Sequence, residues 1–95
     1  MLNENEIKDK INQKLKKYFE IKDSDLKGTA RLYEELGLDS LDAVDMMVHL
    51  EDEFDVRVNS DTFKDVRTLS ELYTEIIKLV EDQVGSSNKE NEASF

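Results

Sequence analysis

The sequence predicts an all-α fold, a small four-helix bundle with three long helices and one short helix. Three observations favour it. The 95 residues include no proline and only three glycines, so few positions interrupt a helix. Apolar residues recur at intervals of three and four over long segments, as on one helix face. Side chains that cap helices precede those segments. A chain of this length forms one modest hydrophobic core, and one domain is expected over residues 1–84.

The first helix is predicted from about residue 4 to about residue 19. Asn3 is a suitable N-cap, and Glu6 stands at the spacing of a reciprocal capping arrangement. Four apolar residues then recur at every fourth position: Ile7, Ile11, Leu15 and Phe19. The connection of residues 20–38 has no sustained period. Four of its side chains are expected to anchor it on the helices: Leu26, Leu32, Tyr33 and Leu36.

The second helix is predicted to begin at Asp39, which is a good N-cap, and to end near Phe54. A short helical turn is expected within "NSDTFKD". The last long helix is predicted to start at Thr68, where Glu71 completes a second capping box, and to continue to Val84. Residues 85–95 are polar and are expected to form a disordered tail.

Residues 23–34 partly match a calcium-binding loop, with Asp at positions one and three, Gly at six and Glu at twelve. Lys27 and Arg31, however, occupy positions five and nine, where cations would oppose a bound dication. No second loop is present to pair with this one. The segment is therefore predicted to be a polar connection between helices, and no metal site is expected.

The composition narrows the classes of function. Without cysteine the chain has no disulfide, thiolate metal site or thiol nucleophile. No secretory signal is visible, and no apolar stretch approaches the roughly 20 residues that span a bilayer. A soluble, cytoplasmic protein is expected. The net charge of −10 is uneven: residues 34–55 hold nine Asp or Glu and no Lys or Arg. Such a block repels nucleic acids and anionic lipids and attracts a basic protein partner, unless it is only a solvated helix face.

Ser40 is not predicted to be a catalytic serine. The only histidine, His49, lies nine residues away on the same predicted helix, about 13 Å along its axis. Ser40 also lacks the strand–turn–helix setting of a hydrolase nucleophile. His49 could hold a metal weakly with Asp45 and Glu53, but a solvated histidine on an acidic face is the expected state.

The second helix has two apolar sides. One is the expected core face: Ala43, Met46, Met47, Leu50 and Phe54. The opposite side is a narrow apolar strip bordered by acids, formed by Leu41, Val44 and Val48. The strip is either a transient protein interface, or it packs inward against the loop or the short helix, with a mixed outcome in which Leu41 is partly shielded. Ser40 occupies the first helical position, where free amides and the helix dipole suit a phosphoester that another protein installs.

The stretch "LGLDSLDAVDMMVHLEDEFDVRV" resembles the signature of acyl carrier proteins. In that family the serine of the Asp-Ser-Leu triplet carries 4′-phosphopantetheine, which a phosphopantetheinyl transferase transfers from coenzyme A. Acyl groups are held as thioesters on the thiol of this arm. The resemblance is dense over residues 36–58, and helix lengths agree over about residues 4–84. It implies an acyl carrier domain at residues 1–84 with an acyl-carrier-like fold, and a carrier rather than an enzyme.

The resemblance also assigns residues. It implies that Ser40 is the attachment site, as O-(pantetheine 4′-phosphoryl)serine. It implies a set of contacts to partner enzymes with basic docking patches: Asp39, Leu41, Asp42, Val44, Asp45, Val48, Glu51 and Asp52. The expected partners are the transferase and acyl-loading and acyl-processing enzymes, and the chain is expected to be a monomer.

The pathway stays open between fatty acid, polyketide and specialised lipid biosynthesis, although "GLDS" resembles the acyl rather than the peptidyl class. An apolar cleft for the acyl chain is expected along Met46, Met47, Leu50 and the last helix, with ordinary core packing as the alternative. The competing hypothesis for function is an unmodified acidic interaction module that binds a partner through the same strip while Ser40 remains free.

Overall fold

A computed structural model describes residues 3–85, and this part of the chain is helical. The long helices are α1 (Glu4–Phe19), α2 (Ser40–Phe54) and α4 (Leu69–Leu79), and the short helix α3 is Ser60–Lys64. A 3-10 turn covers Asp23–Asp25, and a π-helical extension, Val80–Gly85, follows α4. Within residues 3–85 no strand forms, and one isolated bridge joins Arg31 to Thr68. The helical class is confirmed. The predicted polar tail lies outside the described residues, apart from Gly85.

The helix starts agree with the predicted caps. The Asn3 side-chain oxygen accepts a hydrogen bond from the Glu6 N–H, with 2.8 Å between nitrogen and oxygen. Asp39 and Asp42 form a reciprocal box ahead of α2, with N–H to carboxylate distances of 2.8 and 3.2 Å. Thr68 and Glu71 form the same box ahead of α4. Each cap satisfies a backbone donor that would otherwise lack a partner, a gain of about 1 kcal/mol.

The core forms because each long helix buries one face. α1 packs against both α2 and α4. The wholly buried side chains come from these three helices and from the α1–α2 connection: Ile7, Ile11, Leu15, Leu32, Met46, Leu50, Leu69, Leu72 and Ile76. Fully burying one such side chain stabilises the fold by about 1.5–3 kcal/mol. The helical periods in the sequence therefore identified most of the buried residues of the three long helices, although Phe19 and Met47 are only half-buried and Leu32 belongs to no helical period.

The connection between α1 and α2 is fastened to the start of α4. The Leu32 N–H donates to the Arg67 carbonyl, and the Leu69 N–H donates to the Ala30 carbonyl, each at 2.9 Å. Leu32 is wholly buried, and Leu26 and Leu36 pack partly buried against the core, as expected. Tyr33 is exposed, so the prediction that it anchors the loop was wrong. Its neighbour Leu32 takes the inward direction, and the turn after it directs Tyr33 toward α2.

An ion-pair cluster links α1 to α2. The Glu53 carboxylate lies 3.2 Å from the Lys14 ammonium and 3.5 Å from that of Lys10. Partial burial alone would raise the pKa of Glu53. The hydrogen bond from Lys14 and the positive charges of both lysines outweigh that effect and hold the pKa below its ordinary value.

Glu53→Gln is expected to lower the free energy of unfolding at pH 7 by about 0.5–1 kcal/mol, because it removes the charge that both lysines contact. A carboxylate with a lowered native pKa stabilises the fold fully above its ordinary value, here 4.5, and that contribution disappears as the pH falls further. Urea unfolding of both proteins between pH 7 and pH 3 should therefore show a difference that shrinks below about pH 4.5.

The matched control is Glu75→Gln. The Glu75 side chain is as exposed as that of Glu53, at 25%, but it pairs with one lysine of its own helix, Lys78, at 3.8 Å. This variant should lose less stability. Equal losses in the two variants would show that the link between helices adds nothing.

Candidate functional site

Ser40 is the first residue of α2 and its side chain is exposed. The Asp42 N–H donates to the Asp39 carboxylate, and the Ala43 N–H donates to the Asp39 carbonyl. Among the hydrogen bonds of residues 3–85, the N–H groups of Ser40 and Leu41 have no acceptor. The Ser40 hydroxyl thus stands at the positive end of the helix dipole, where an attached anion is favoured.

Among residues 3–85, no side chain beside Ser40 is placed to act as its base. His49 lies on the same helix two and a half turns away, as the sequence predicted. The neighbouring carboxylates of Asp39 and Asp42 are engaged with each other's backbone N–H groups. The hydroxyl therefore has no neighbour in the described part of the chain that would activate it to attack a substrate.

The apolar strip of Leu41, Val44 and Val48 faces outward. Their exposed fractions are 77%, 56% and 50% in the described structure. The opposite side of α2 is buried through Ala43, Met46, Leu50 and Phe54, while Met47 is half-buried. The prediction of an exposed strip is confirmed, and the inward-packing alternative is wrong. Leu41 is the most exposed of the three rather than partly shielded, because Ser40 and Leu41 precede the first contact of α2 with the core.

The acids along α2 have different tasks. The Val58 N–H donates to the Glu51 carboxylate at 2.8 Å, which fastens the loop after α2. Asp39 and Asp42 cap the helix. Asp45 and Asp52 are exposed, and within residues 3–85 their side chains form no ion pair or hydrogen bond. Of the five acids predicted to contact partners, these two have carboxylates free for an external cation.

His49 is not the solvated residue that the sequence suggested. Its ring stacks on that of Tyr18 of α1, with the ring centroids 3.8 Å apart and an angle of 12° between the ring planes, and it makes an edge contact with Phe19. His49 is half-buried as a result. The prediction failed because the aromatic neighbours of His49 lie on α1, whereas the sequence pattern shows only the charges on α2, the helix that contains His49.

A cavity of about 230 Å³ opens beside Ser40, between α2 and α3. Its lining is mainly apolar: Tyr33, Ser40, Ala43, Val44, Met47, Phe63 and Lys64. Met46 and Leu50 do not line it because they are wholly buried in the core. The predicted cleft along Met46 and Leu50 is thus core packing, and only Met47 of that set borders the cavity. Tyr33, Phe63 and Lys64 were missed as lining residues, because Tyr33 lies in the irregular connection before α2, the other two lie on α3, and no helical period links any of them to Ser40.

The residues around Ser40 fit a phosphopantetheine group. The group needs an exposed hydroxyl for its phosphoester, a setting that tolerates added negative charge, and room for an extended chain. Ser40 supplies the hydroxyl, the start of α2 favours the anion, and the adjoining cavity has a mainly apolar lining that includes the cation Lys64. The fit therefore rests on the Ser40 hydroxyl, the start of α2 and the adjoining cavity.

The segment that partly matched a calcium loop is held by ion pairs. Asp23 lies 2.9 Å from the Lys16 ammonium, and Arg31 contacts Glu34 and Glu35. Over residues 3–85, no three His, Cys, Asp or Glu side chains gather as a metal site would require. None of the helices in this same range is both long and apolar enough to cross a membrane.

Comparisons with known proteins agree with this geometry. A family model described as a phosphopantetheine attachment site matches residues 9–86. Acyl carrier protein 2 of Ralstonia nicotianae is 35% identical over 71 residues, which cover 75% of this chain and 88% of the relative. The acyl carrier protein of Chlorobium phaeovibrioides is 30% identical over 77 residues, covering 81% and 99%.

Two solved structures have the same fold. A candidate acyl carrier protein of Mycobacterium tuberculosis superposes with a TM-score of 0.69 at 25% identity, over 75% of this chain and 95% of the other. The acyl carrier protein of Thermotoga maritima gives a TM-score of 0.72 at 23% identity, over 83% and 92%. The second likeness concerns the fold alone.

The division of tasks among the α2 acids predicts different stabilities. Glu51→Ala should lower the free energy of unfolding by about 1–2 kcal/mol, because it leaves the Val58 N–H without its charged acceptor. Glu51→Gln, which retains an acceptor oxygen, should lose less. Asp45→Ala and Asp52→Ala should change stability by at most about 0.5 kcal/mol. Urea unfolding measures all four, and equal effects at the three positions would contradict the assignment.

Proposed function

The chain belongs to the family of proteins that carry a phosphopantetheine attachment site, the acyl carrier proteins, and from this premise we propose that Ser40 bears the 4′-phosphopantetheine arm. Proteins of this family are carriers rather than enzymes, and their cofactor is 4′-phosphopantetheine. When bound, that group supplies a terminal thiol on which acyl groups are held as thioesters. The observation that carries the assignment is the exposed Ser40 hydroxyl at the start of α2, beside the cavity and inside the matched range.

Attachment requires a second protein, because no base within residues 3–85 is in reach of Ser40. In the proposed reaction a phosphopantetheinyl transferase joins the Ser40 oxygen to the pantetheine-side phosphorus of coenzyme A. The pyrophosphate bond breaks, the serine proton is removed by the transferase, and adenosine 3′,5′-bisphosphate leaves. Ser40 contributes the oxygen and its exposed position, and the start of α2 accommodates the new negative charge.

The face of α2 next to Ser40 suits transient docking. Leu41, Val44 and Val48 offer an apolar contact, and Asp45 and Asp52 offer free carboxylates beside it. An exposed apolar strip with like-charged borders selects a partner that has an apolar patch ringed by Lys or Arg. Exposed charge pairs contribute little affinity but speed encounter, which suits a carrier that must visit several enzymes in turn.

The cargo is proposed to be the acyl intermediates of fatty acid biosynthesis or of a related polyketide or specialised lipid pathway. The similar proteins from Ralstonia and Chlorobium are named acyl carrier proteins, which supports an acyl cargo. The cavity of about 230 Å³ beside Ser40 has apolar walls from Ala43, Met47 and Phe63, which could shelter part of such a chain from water.

Intact mass spectrometry tests the assignment of Ser40. After incubation with coenzyme A and a broad-specificity transferase, the wild-type chain should gain the mass of one phosphopantetheine, whereas Ser40→Ala should gain none. Ser24→Ala, at another exposed serine, is the matched control and should be modified like wild type. No gain in wild type, with a transferase active on another carrier, would favour the unmodified interaction module.

Reversing one free charge on the docking face should slow attachment. Asp45→Lys is expected to lower the second-order rate constant of arm transfer by about fivefold to tenfold at low ionic strength, since it removes attraction for a basic enzyme. Added salt should shrink the difference. Asp25→Lys makes the same charge change in the exposed 3-10 turn and should have a much smaller effect. Equal slowing by both variants would show that only net charge matters.

A further inference from the structure

Among the described residues that line the cavity at Ser40, Lys64 is the one with a charged side chain. It is the last residue of the short helix α3 and stands 24 positions after Ser40 in the chain. The two residues border the same space of about 230 Å³, together with Val44 of α2 and Phe63 of α3. Tertiary packing therefore brings Lys64 into the lining of the same cavity as Ser40, where the arm would be attached.

The rest of the surroundings of Ser40 is negative. The carboxylates of Asp39 and Asp42 lie at the start of α2, and residues 34–55 hold nine acids and no Lys or Arg. A phosphodiester on Ser40 adds a further negative charge to this region. The helix dipole favours an anion there by about 0.3–1 kcal/mol, an effect that two nearby carboxylates oppose. A cation from outside the acidic segment would remove much of this repulsion.

The position of Lys64 is fixed, but its ammonium group is available. Phe63 and Val66 on either side are buried, and the Phe63 N–H donates to the Asn59 carbonyl at 3.1 Å, so the backbone of α3 is held in place. The Lys64 ammonium lies 3.5 Å from the Asp61 carboxylate, and the two side chains are 76% and 82% exposed. Such an exposed pair is worth at most about 1 kcal/mol and exchanges readily.

We propose that Lys64 binds the phosphodiester of the arm on Ser40, exchanging its pairing with Asp61 for a contact with the new anion. This inference rests on the proposed function, because it requires Ser40 to carry the arm. Lys64 then holds the phosphate end of the arm at the mouth of the α2–α3 cavity. The arm is neutralised by a residue of α3, while the acids and apolar strip of α2 remain available to partner enzymes.

A thermodynamic cycle tests the contact without any partner enzyme. The unmodified and modified forms of wild type, Lys64→Gln and Lys64→Arg are unfolded by heat at low ionic strength. The quantity of interest is the change in Tm on modification. This change in Tm should be about 2–6 °C more positive in wild type than in Lys64→Gln, and Lys64→Arg should resemble wild type. In 1 M salt the difference should largely disappear.

The matched control is Lys78→Gln. Lys78 is also exposed and pairs with an acid three residues before it, Glu75, but lies on α4 outside the cavity lining. Its change in Tm on modification should equal that of wild type. Any disturbance of α3 is present in both forms of Lys64→Gln and cancels in the cycle, which therefore measures the phosphate contact of Lys64 less the Asp61 pair that it replaces.

Two outcomes would overturn the inference, and they differ. Equal changes in Tm for wild type, Lys64→Gln and Lys78→Gln, with complete modification in each, would show that Lys64 gains nothing by exchanging Asp61 for the phosphate and would leave the proposed function intact. Absence of the arm from wild type in the mass measurement would refute the assignment of Ser40, and it would also refute the proposed role of Lys64.

Discussion

The inner face of α2 packs into the core beside α1, with Met46 and Leu50 wholly buried, and this packing determines what the rest of the helix can do. A helix has one circumference, so burying Ala43, Met46, Leu50 and Phe54 necessarily turns Leu41, Val44 and Val48 outward. The exposed strip needs no separate explanation. Ser40 precedes the first buried turn and is left at the surface for the same reason, at the helix end where an anion is best accommodated.

The acidic residues along this helix serve several purposes, and the purpose of each depends on what its side chain contacts. Asp39 and Asp42 meet each other's N–H groups and start the helix. Glu51 meets the Val58 N–H and closes the following loop, while Glu53 meets two lysines of α1 and joins the helices. Asp45 and Asp52 meet only solvent in the described structure. A highly acidic segment is therefore compatible with a stable fold, because much of its charge is paired or hydrogen-bonded internally.

The surroundings of Ser40 are assembled from distant parts of the chain. The connection after α1 is fastened to the start of α4 through Leu32 and Leu69, and Tyr33 of this connection reaches the cavity beside Ser40. α3 adds Phe63 and Lys64 from the other side. The apolar walls and the cation Lys64 suit a phosphate-linked chain with an apolar cargo, a combination that α2 alone, with its uniformly negative charge, does not provide.

The sequence by itself determined the helices, their caps, the core faces, the position of Ser40 and the exposed strip. All of these follow from contacts three or four residues apart, which a period of 3.6 residues makes visible in one segment. Only the tertiary structure decided that Tyr33 faces outward, that His49 stacks on Tyr18, that Glu51 holds a loop, and that Lys64 borders the cavity at Ser40. Each of these depends on a partner from another segment. Such pairings are fixed by how the helices and loops pack together, and the periodicity of one helix carries no information about them.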